Sequence, residues 1–241
     1  MPALDLTKKA EKVGLVLAKR GVTSLPPIAV VAALDISGSM SDEYSRGDVQ
    51  NAFDQCLGIA LKIDDDGDID VYAFDTDSYH APVATSEDFG TYIGTRRGQG
   101  KFGHWPYGGT RYSPVLNAIV ADKFPGAKPK GLFGFGGKKA PQGPPVMVLF
   151  FTDGDNTPGD TRATDAIIRQ CSQDRTNIYF NLIALGNGSR DNFAELRRLA
   201  DDYDNCGFTH LSNIRMSDDE IYDKLINEEF IAFVKGQGVP A

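Results

Sequence analysis

An unbroken apolar run, Ile28 to Leu34, leads straight into Asp35-Ile36-Ser37-Gly38-Ser39. A short β-branched run of this kind is a strand buried on both faces, so the fold must cover its sheet with a layer on each side. One carboxylate and two hydroxyls follow at i, i+2 and i+4. Extended geometry sends alternate residues to one side, and Gly38 permits a tight turn. Asp35, Ser37 and Ser39 therefore point at one spot beyond the strand end. Three small hard oxygen donors suit Mg²⁺ or another hard divalent cation. The same residues also serve elsewhere as a turn and a helix cap.

Two later segments bear on that choice. Gly108-Gly109-Thr110 is a loop with one hydroxyl ahead of a helical pattern, and a second apolar run, Val146 to Phe151, ends in Thr152-Asp153-Gly154. Ligands of open parallel sheets bind beyond the carboxyl ends of the strands, so three loops can converge on one cation. The ordered set Asp35-x-Ser37-x-Ser39, Thr110 and Asp153 resembles the metal-ion-dependent adhesion site of von Willebrand factor A (VWA) domains. The resemblance implies that the two serines and the threonine approach the metal directly and that the aspartates act directly or through water. It leaves a sixth position for an Asp or Glu carboxylate from a protein partner. One divalent cation is implied, Mg²⁺ first, with Mn²⁺ or Ca²⁺ as alternatives.

Composition narrows the surroundings. The 241 residues are 41% hydrophobic and 24% charged, enough for one large α/β core. A net charge of −8 disfavours nucleic acid or an anionic membrane as partner. Cys56, Cys171 and Cys206 are odd in number and far apart, which reads as buried thiols in a reducing cytosol. No run reaches the ~18 apolar residues of a membrane span, and the Lys8, Lys9, Lys12 segment has no apolar core after it to make a secretory signal. A cytoplasmic location is expected, and oligomeric state is left open.

Along the chain, residues 1–27 read as a helical lead segment with Leu6, Val13, Val16 and Leu17 on one stripe, ahead of a domain over 28–241. Val49, Phe53, Leu57, Ala60 and Leu61 form a second helical face. Asp64-Asp65-Asp66-Gly67-Asp68 lacks EF-hand spacing and reads as a turn into the strand Ile69–Phe74. Asp75-Thr76-Asp77 resembles a haloacid-dehalogenase nucleophile motif, but Tyr79 stands where that motif wants Thr or Val. Asp75 and Asp77, with Asp155, are expected near the cation as outer-shell or rim groups. A short antiparallel edge strand is expected over 79–84, and a helix over 86–93 with Ser86 as cap. Residues 94–109 form a Gly-rich loop whose Arg96, Arg97, His104, Trp105 and Tyr107 read either as a partner-recognition surface or as a loop packing its own aromatics. Residues 125–145 are a Gly/Pro/Lys-rich insertion; the Walker pattern fails there at Leu132 and Lys139. Later, Asp191 is expected to cap a helix, and Ser217-Asp218-Asp219-Glu220 to open one final helix that buries Ile221, Leu225, Ile226, Phe230 and Phe233. The alternation predicts a mostly parallel, Rossmann-like sheet with helices on both faces and one antiparallel edge.

Four stretches resemble more narrowly the tellurium-resistance-type, TerF-like branch of intracellular VWA proteins. They are Asp64-Asp65-Asp66-Gly67 before Ile69-Asp-Val-Tyr-Ala-Phe, Gly108-Gly-Thr110-Arg-Tyr, Phe150-Phe-Thr-Asp153-Gly-Asp, and Met216-Ser-Asp-Asp-Glu-Ile-Tyr-Asp. The chain carries no separate TerD-like domain, so no calcium-binding partner domain is implied. The resemblance points to a metal-dependent protein-binding module in a bacterial or phage stress or tellurite-resistance system. Alternatives are a metal-dependent phosphohydrolase, for which no base or nucleophile stands out among His80, His104 and His210, and a structural subunit with a silent site.

Overall fold

The structure is a computed structural model describing residues 2–125, 143–154, 156–174, 176–186, 193–212, 214 and 216–236. Six strands form one sheet: β1 (Ala29–Asp35), β2 (Ile69–Phe74), β3 (Ser78–His80), β4 (Val146–Thr152), β5 (Ile178–Leu185) and β6 (Cys206–Leu211), in the order β3-β2-β1-β4-β5-β6. All neighbours are parallel except β2 and β3. The helices are α1 (Pro2–Lys19), α2 (Ser41–Ser45), α3 (Asp48–Ile63), α4 (Ser113–Lys123), α5 (Thr161–Gln173), α6 (Ala194–Asp202), α7 (Asp218–Leu225) and α8 (Glu228–Gly236).

The central strands alternate between two cores. Val30, Ala32 and Leu34 face α1, α3, α7 and α8, whereas Val31 and Ala33 face α4, α5 and α6. Strand order reverses between β1 and β4, which makes a crevice at their carboxyl ends.

The lead stripe Leu6, Val13, Val16 and Leu17 is buried. It is fastened by Lys9 Nζ, 2.6 Å from Asp218 Oδ1 and 3.1 Å from Gln55 Oε1, and by Arg20, 3.0 Å from Asp223. Gly58 of α3 lets this contact close: a Cβ there would lie 2.8 Å from Lys9 Cβ and inside the Tyr222 hydroxyl.

Several expectations are corrected. Residues 86–93 are not a helix but a single 3₁₀ turn, Ser86–Asp88, capped by Thr85 rather than Ser86. The chain stops winding because Gly90 takes φ 76° and donates its N–H to Asp54 Oδ1 at 2.9 Å. The final helix is two. α7 opens with the expected Ser217–Glu220 capping box and ends at Ile226, and Asn227 Oδ1 then accepts from Phe230 N at 2.9 Å and starts α8. Leu61 is 41% exposed, because it lies outside the buried stripe of α3. The antiparallel edge strand is only Ser78–His80, with Ala84 making a lone bridge to Ile69. Asp191 and residues 126–142 of the insertion lie outside the described residues.

Candidate functional site

Asp35 ends β1 and is fully buried. Its Oδ1 accepts from Ser37 N at 2.7 Å and its Oδ2 from Thr152 Oγ1 at 2.6 Å. The β1–β4 register pairs Leu34 with Phe151, so Thr152 is level with Asp35. Burial pushes the Asp35 carboxyl up to about 7, against the Thr152 and Ser37 hydrogen bonds, and the Asp153 charge adds to the rise. Among the described residues no Lys, Arg or His forms an ion pair with it.

The hydroxyls extend from there as a chain. Ser37 Oγ lies 3.1 Å from Ser39 Oγ, which donates to Asp153 Oδ1 at 2.8 Å. Asp153 is half-buried. Its carboxyl is raised by burial and by the Glu43 charge, against the Ser39 hydrogen bond. Four of the five expected residues thus form one hydrogen-bonded cluster at the β1/β4 crevice.

Thr110 arrives on a loop held against the same edge. Tyr107 N donates to Ile36 O at 2.7 Å and Gly38 N to Gly108 O at 3.1 Å. The Thr110 carbonyl accepts from Thr157 N at 2.9 Å. Asp75 braces this loop: its carbonyl accepts from Arg111 N at 2.7 Å, and its Oδ1 accepts from Asp77 N at 2.9 Å. Gly108 has φ 92°, and a Cβ there would stand 3.2 Å from Asp75 Oδ2. Asp75 is therefore committed to turn structure beside the site, whereas Asp77 is exposed. Asp155 lies outside the described residues.

The aromatic loop divides. Phe102 is buried, and the half-buried Trp105 meets Tyr44 edge-on at 5.8 Å. His104 packs 5.2 Å from Phe102 and 5.4 Å from Tyr79. Burial lowers its pKa, against the opposing pull of Asp75. Arg96 and Arg97 are exposed, and Tyr107, whose own N–H holds Ile36, is 82% exposed. His104 and Trp105 are packing groups; Tyr107 is the aromatic presented at the rim.

Sequence reasoning missed Thr152, although register with β1 points to it. It also missed Asp160, which is buried and accepts from Ser113 N at 2.8 Å, from Thr164 Oγ1 at 3.1 Å and from Arg111 Nη2 at 3.2 Å. Asp160 thereby fixes the backbone that follows Thr110. The Asp64–Asp66 carboxylates approach within 4.8 Å at the opposite edge of the sheet. Their oxygens accept from Val30 N at 2.9 Å, Asp65 N at 2.8 Å and Asp68 N at 2.9 Å, the bonding of a turn.

The donor chemistry at Asp35, Ser37, Ser39 and Asp153 is all hard oxygen, with buried negative charge that has no basic partner among the described residues. That combination fits a small hard cation.

A family model described as vWA-TerF-like, the vWA found in the TerF C terminus, matches residues 27–238. The uncharacterized protein YcbR of Bacillus subtilis (strain 168) is 30% identical over 230 residues, 95% of this chain and 85% of that protein. Among solved structures, proximal thread matrix protein 1 of the mussel byssus has TM-score 0.53 and 16% identity over 84% of this chain. The chain spans about half of that protein, 48%. Manganese-loaded Plasmodium vivax TRAP has TM-score 0.50 and 14% identity, over 84% of this chain and 73% of that one. At these identities the two structures speak to the fold.

Proposed function

The chain belongs to the vWA-TerF-like family, and from that premise we propose that it is a metal-ion-dependent protein-binding module. Asp35, Ser37, Ser39, Thr110 and Asp153 would hold one divalent cation, Mg²⁺ first, and a partner's Asp or Glu would complete its shell. When bound, the cation supplies the positive charge that draws a carboxylate to this edge of the sheet. The chain's own part is preorganisation. Thr152 and Ser37 N fix the Asp35 carboxylate, Ser39 ties the β1 loop to the β4 loop, and Asp75 and Asp160 brace the Thr110 loop. Tyr107 stands at the rim as an aromatic contact for the partner.

The observation that carries this reading is the Asp35–Ser37–Ser39–Asp153 cluster at the strand-order reversal, with a buried carboxylate that has no basic partner among the described residues. The manganese carried by TRAP, of the same fold, makes Mn²⁺ a second ion to test. No helix among the described residues is long and apolar enough to cross a membrane. We read the module as cytoplasmic and as part of a bacterial or phage stress or tellurite-resistance-type system.

Thermal unfolding of wild type and Asp35→Asn, in EDTA and then in Mg²⁺, Mn²⁺ or Ca²⁺, tests it. An ion at 100 times its dissociation constant should stabilise wild type by about 2.7 kcal/mol and leave the variant unmoved. Equal shifts in both proteins, or none in either, would sink the assignment.

A further inference from the structure

This inference rests on the cation-site reading and extends it to a residue outside the five-residue pattern. Helix α2 follows the Ser37–Ser39 turn directly. Its Glu43 side chain is only 13% exposed, and Oε1 accepts from Arg46 Nη2 at 2.8 Å. Arg46 also binds Asp48 through Nε at 2.8 Å, which anchors it to the start of α3. Glu43 Oε1 lies 3.2 Å from where a Cβ would stand on Gly186. The β4–β5 pairing runs to Thr152 and Ala184, so Gly186 follows the carboxyl end of β5, beside the β4 end that Asp153 follows. Tyr44, the next residue, is buried against Phe102 and Trp105, which holds α2 in place over the crevice. A largely buried carboxylate therefore stands at the carboxyl end of β5, beside the β4 end that leads into Asp153, and Arg46 is its ion-pair partner among the described residues.

We propose that Glu43 is a third carboxylate of the cation site and that Arg46 competes with the cation for it. Asp35 and Asp153 alone balance a dication. A third carboxylate mostly out of water adds attraction that solvent screens poorly. Arg46 offsets that charge, leaving the bound cation enough unmet positive character to take a partner's carboxylate. Glu43 is a tuning residue: it sets how tightly the ion is held and how strongly the loaded site attracts a further anion.

The test is Mn²⁺ binding to the full chain, read from the electron paramagnetic resonance signal of the free ion. Wild type, Asp35→Asn, Glu43→Gln and Arg46→Met are compared, with circular dichroism to check folding. Glu43→Gln keeps a carbonyl acceptor for Arg46 and should weaken Mn²⁺ about tenfold, a 1.4 kcal/mol change. Arg46→Met should tighten it several-fold. If Asp35→Asn abolishes binding while Glu43→Gln matches wild type, Glu43 has no part in the site and the five-residue assignment stands. If Glu43→Gln weakens binding but Arg46→Met leaves it unchanged, the competition is overturned. Absence of Mn²⁺ binding in wild type overturns both the site and this extension.

Discussion

Asp35 carries a cost as well as a role. Its two oxygens are met by one N–H and one hydroxyl, and no basic side chain among the described residues balances the charge. Asp35→Asn removes the charge and keeps one acceptor: its oxygen still takes the Ser37 N–H, and its amide N–H₂ donates to Thr152 Oγ1, whose hydroxyl turns to the Gly154 carbonyl 3.1 Å away. The metal-free variant should therefore be more stable than metal-free wild type at pH 8, by on the order of 1–3 kcal/mol, measured by urea unfolding in EDTA. A destabilised variant would mean that the negative charge is already compensated in the apo protein. Asp160 behaves in the opposite sense. Burial pushes its carboxyl up, but the Ser113, Thr164 and Asn156 hydrogen bonds prevail and hold it below 3.8. A depressed folded pKa contributes stability that is present above the unfolded value and lost as pH falls through the folded one. Wild type should thus lose melting temperature between about pH 5 and 2 more steeply than Asp160→Asn, and parallel profiles would refute this. These two acids differ in how far sequence reveals them. Asp35 stands at the end of an apolar run with hydroxyls at even spacing, so strand geometry alone aims it. Asp160 and Glu43 sit among polar neighbours in patterns that also describe a solvated surface; only tertiary packing removes them from water.

At the scale of elements, the strands were legible because both-face burial demands apolar runs: β1 and β4 have unbroken ones, and β5 is interrupted only by the buried Asn181, whose amide donates to Leu225 O. The breaks in helices were less so. Gly90 and Asn227 end or start helical turns through a left-handed φ and a side-chain cap, and neither residue type does so by necessity. Helix α3 offers a paired test of close approach. A Cβ at Gly58 meets Lys9 Cβ at 2.8 Å and the Tyr222 hydroxyl, so Gly58→Ala should cost roughly 1–3 kcal/mol by overpacking. On α1, a Cβ at Gly14 meets only the flexible end of Lys62, 2.8 Å away at Cε. Gly14→Ala should be neutral or stabilising by up to ~1 kcal/mol, the helix-propensity gain. Thermal melts of the two variants decide it, and equal effects would mean that α1 does not dock on α3 as described.

For the whole molecule, the two cores and the parallel sheet leave the carboxyl edge of β1 and β4 as the place where loops from distant parts of the chain meet. Loop 36–41, loop 107–110 and loop 152–154 reach it independently, which is why one short motif was enough to foretell the fold. The first helix reaches across the molecule in another way. Lys9 bonds Asp218 over 209 residues of sequence. On the ribosome, Lys9 of α1 is made 209 residues ahead of this partner. At about 5–20 residues per second that interval is roughly 10–40 s. Once α3 has been made, the apolar stripe of Leu6, Val13, Val16 and Leu17 has α3 on one flank and still no α7 on the other. The nascent chain therefore carries a half-covered greasy helix, a natural handle for chaperones, and one that disappears only when α7 emerges.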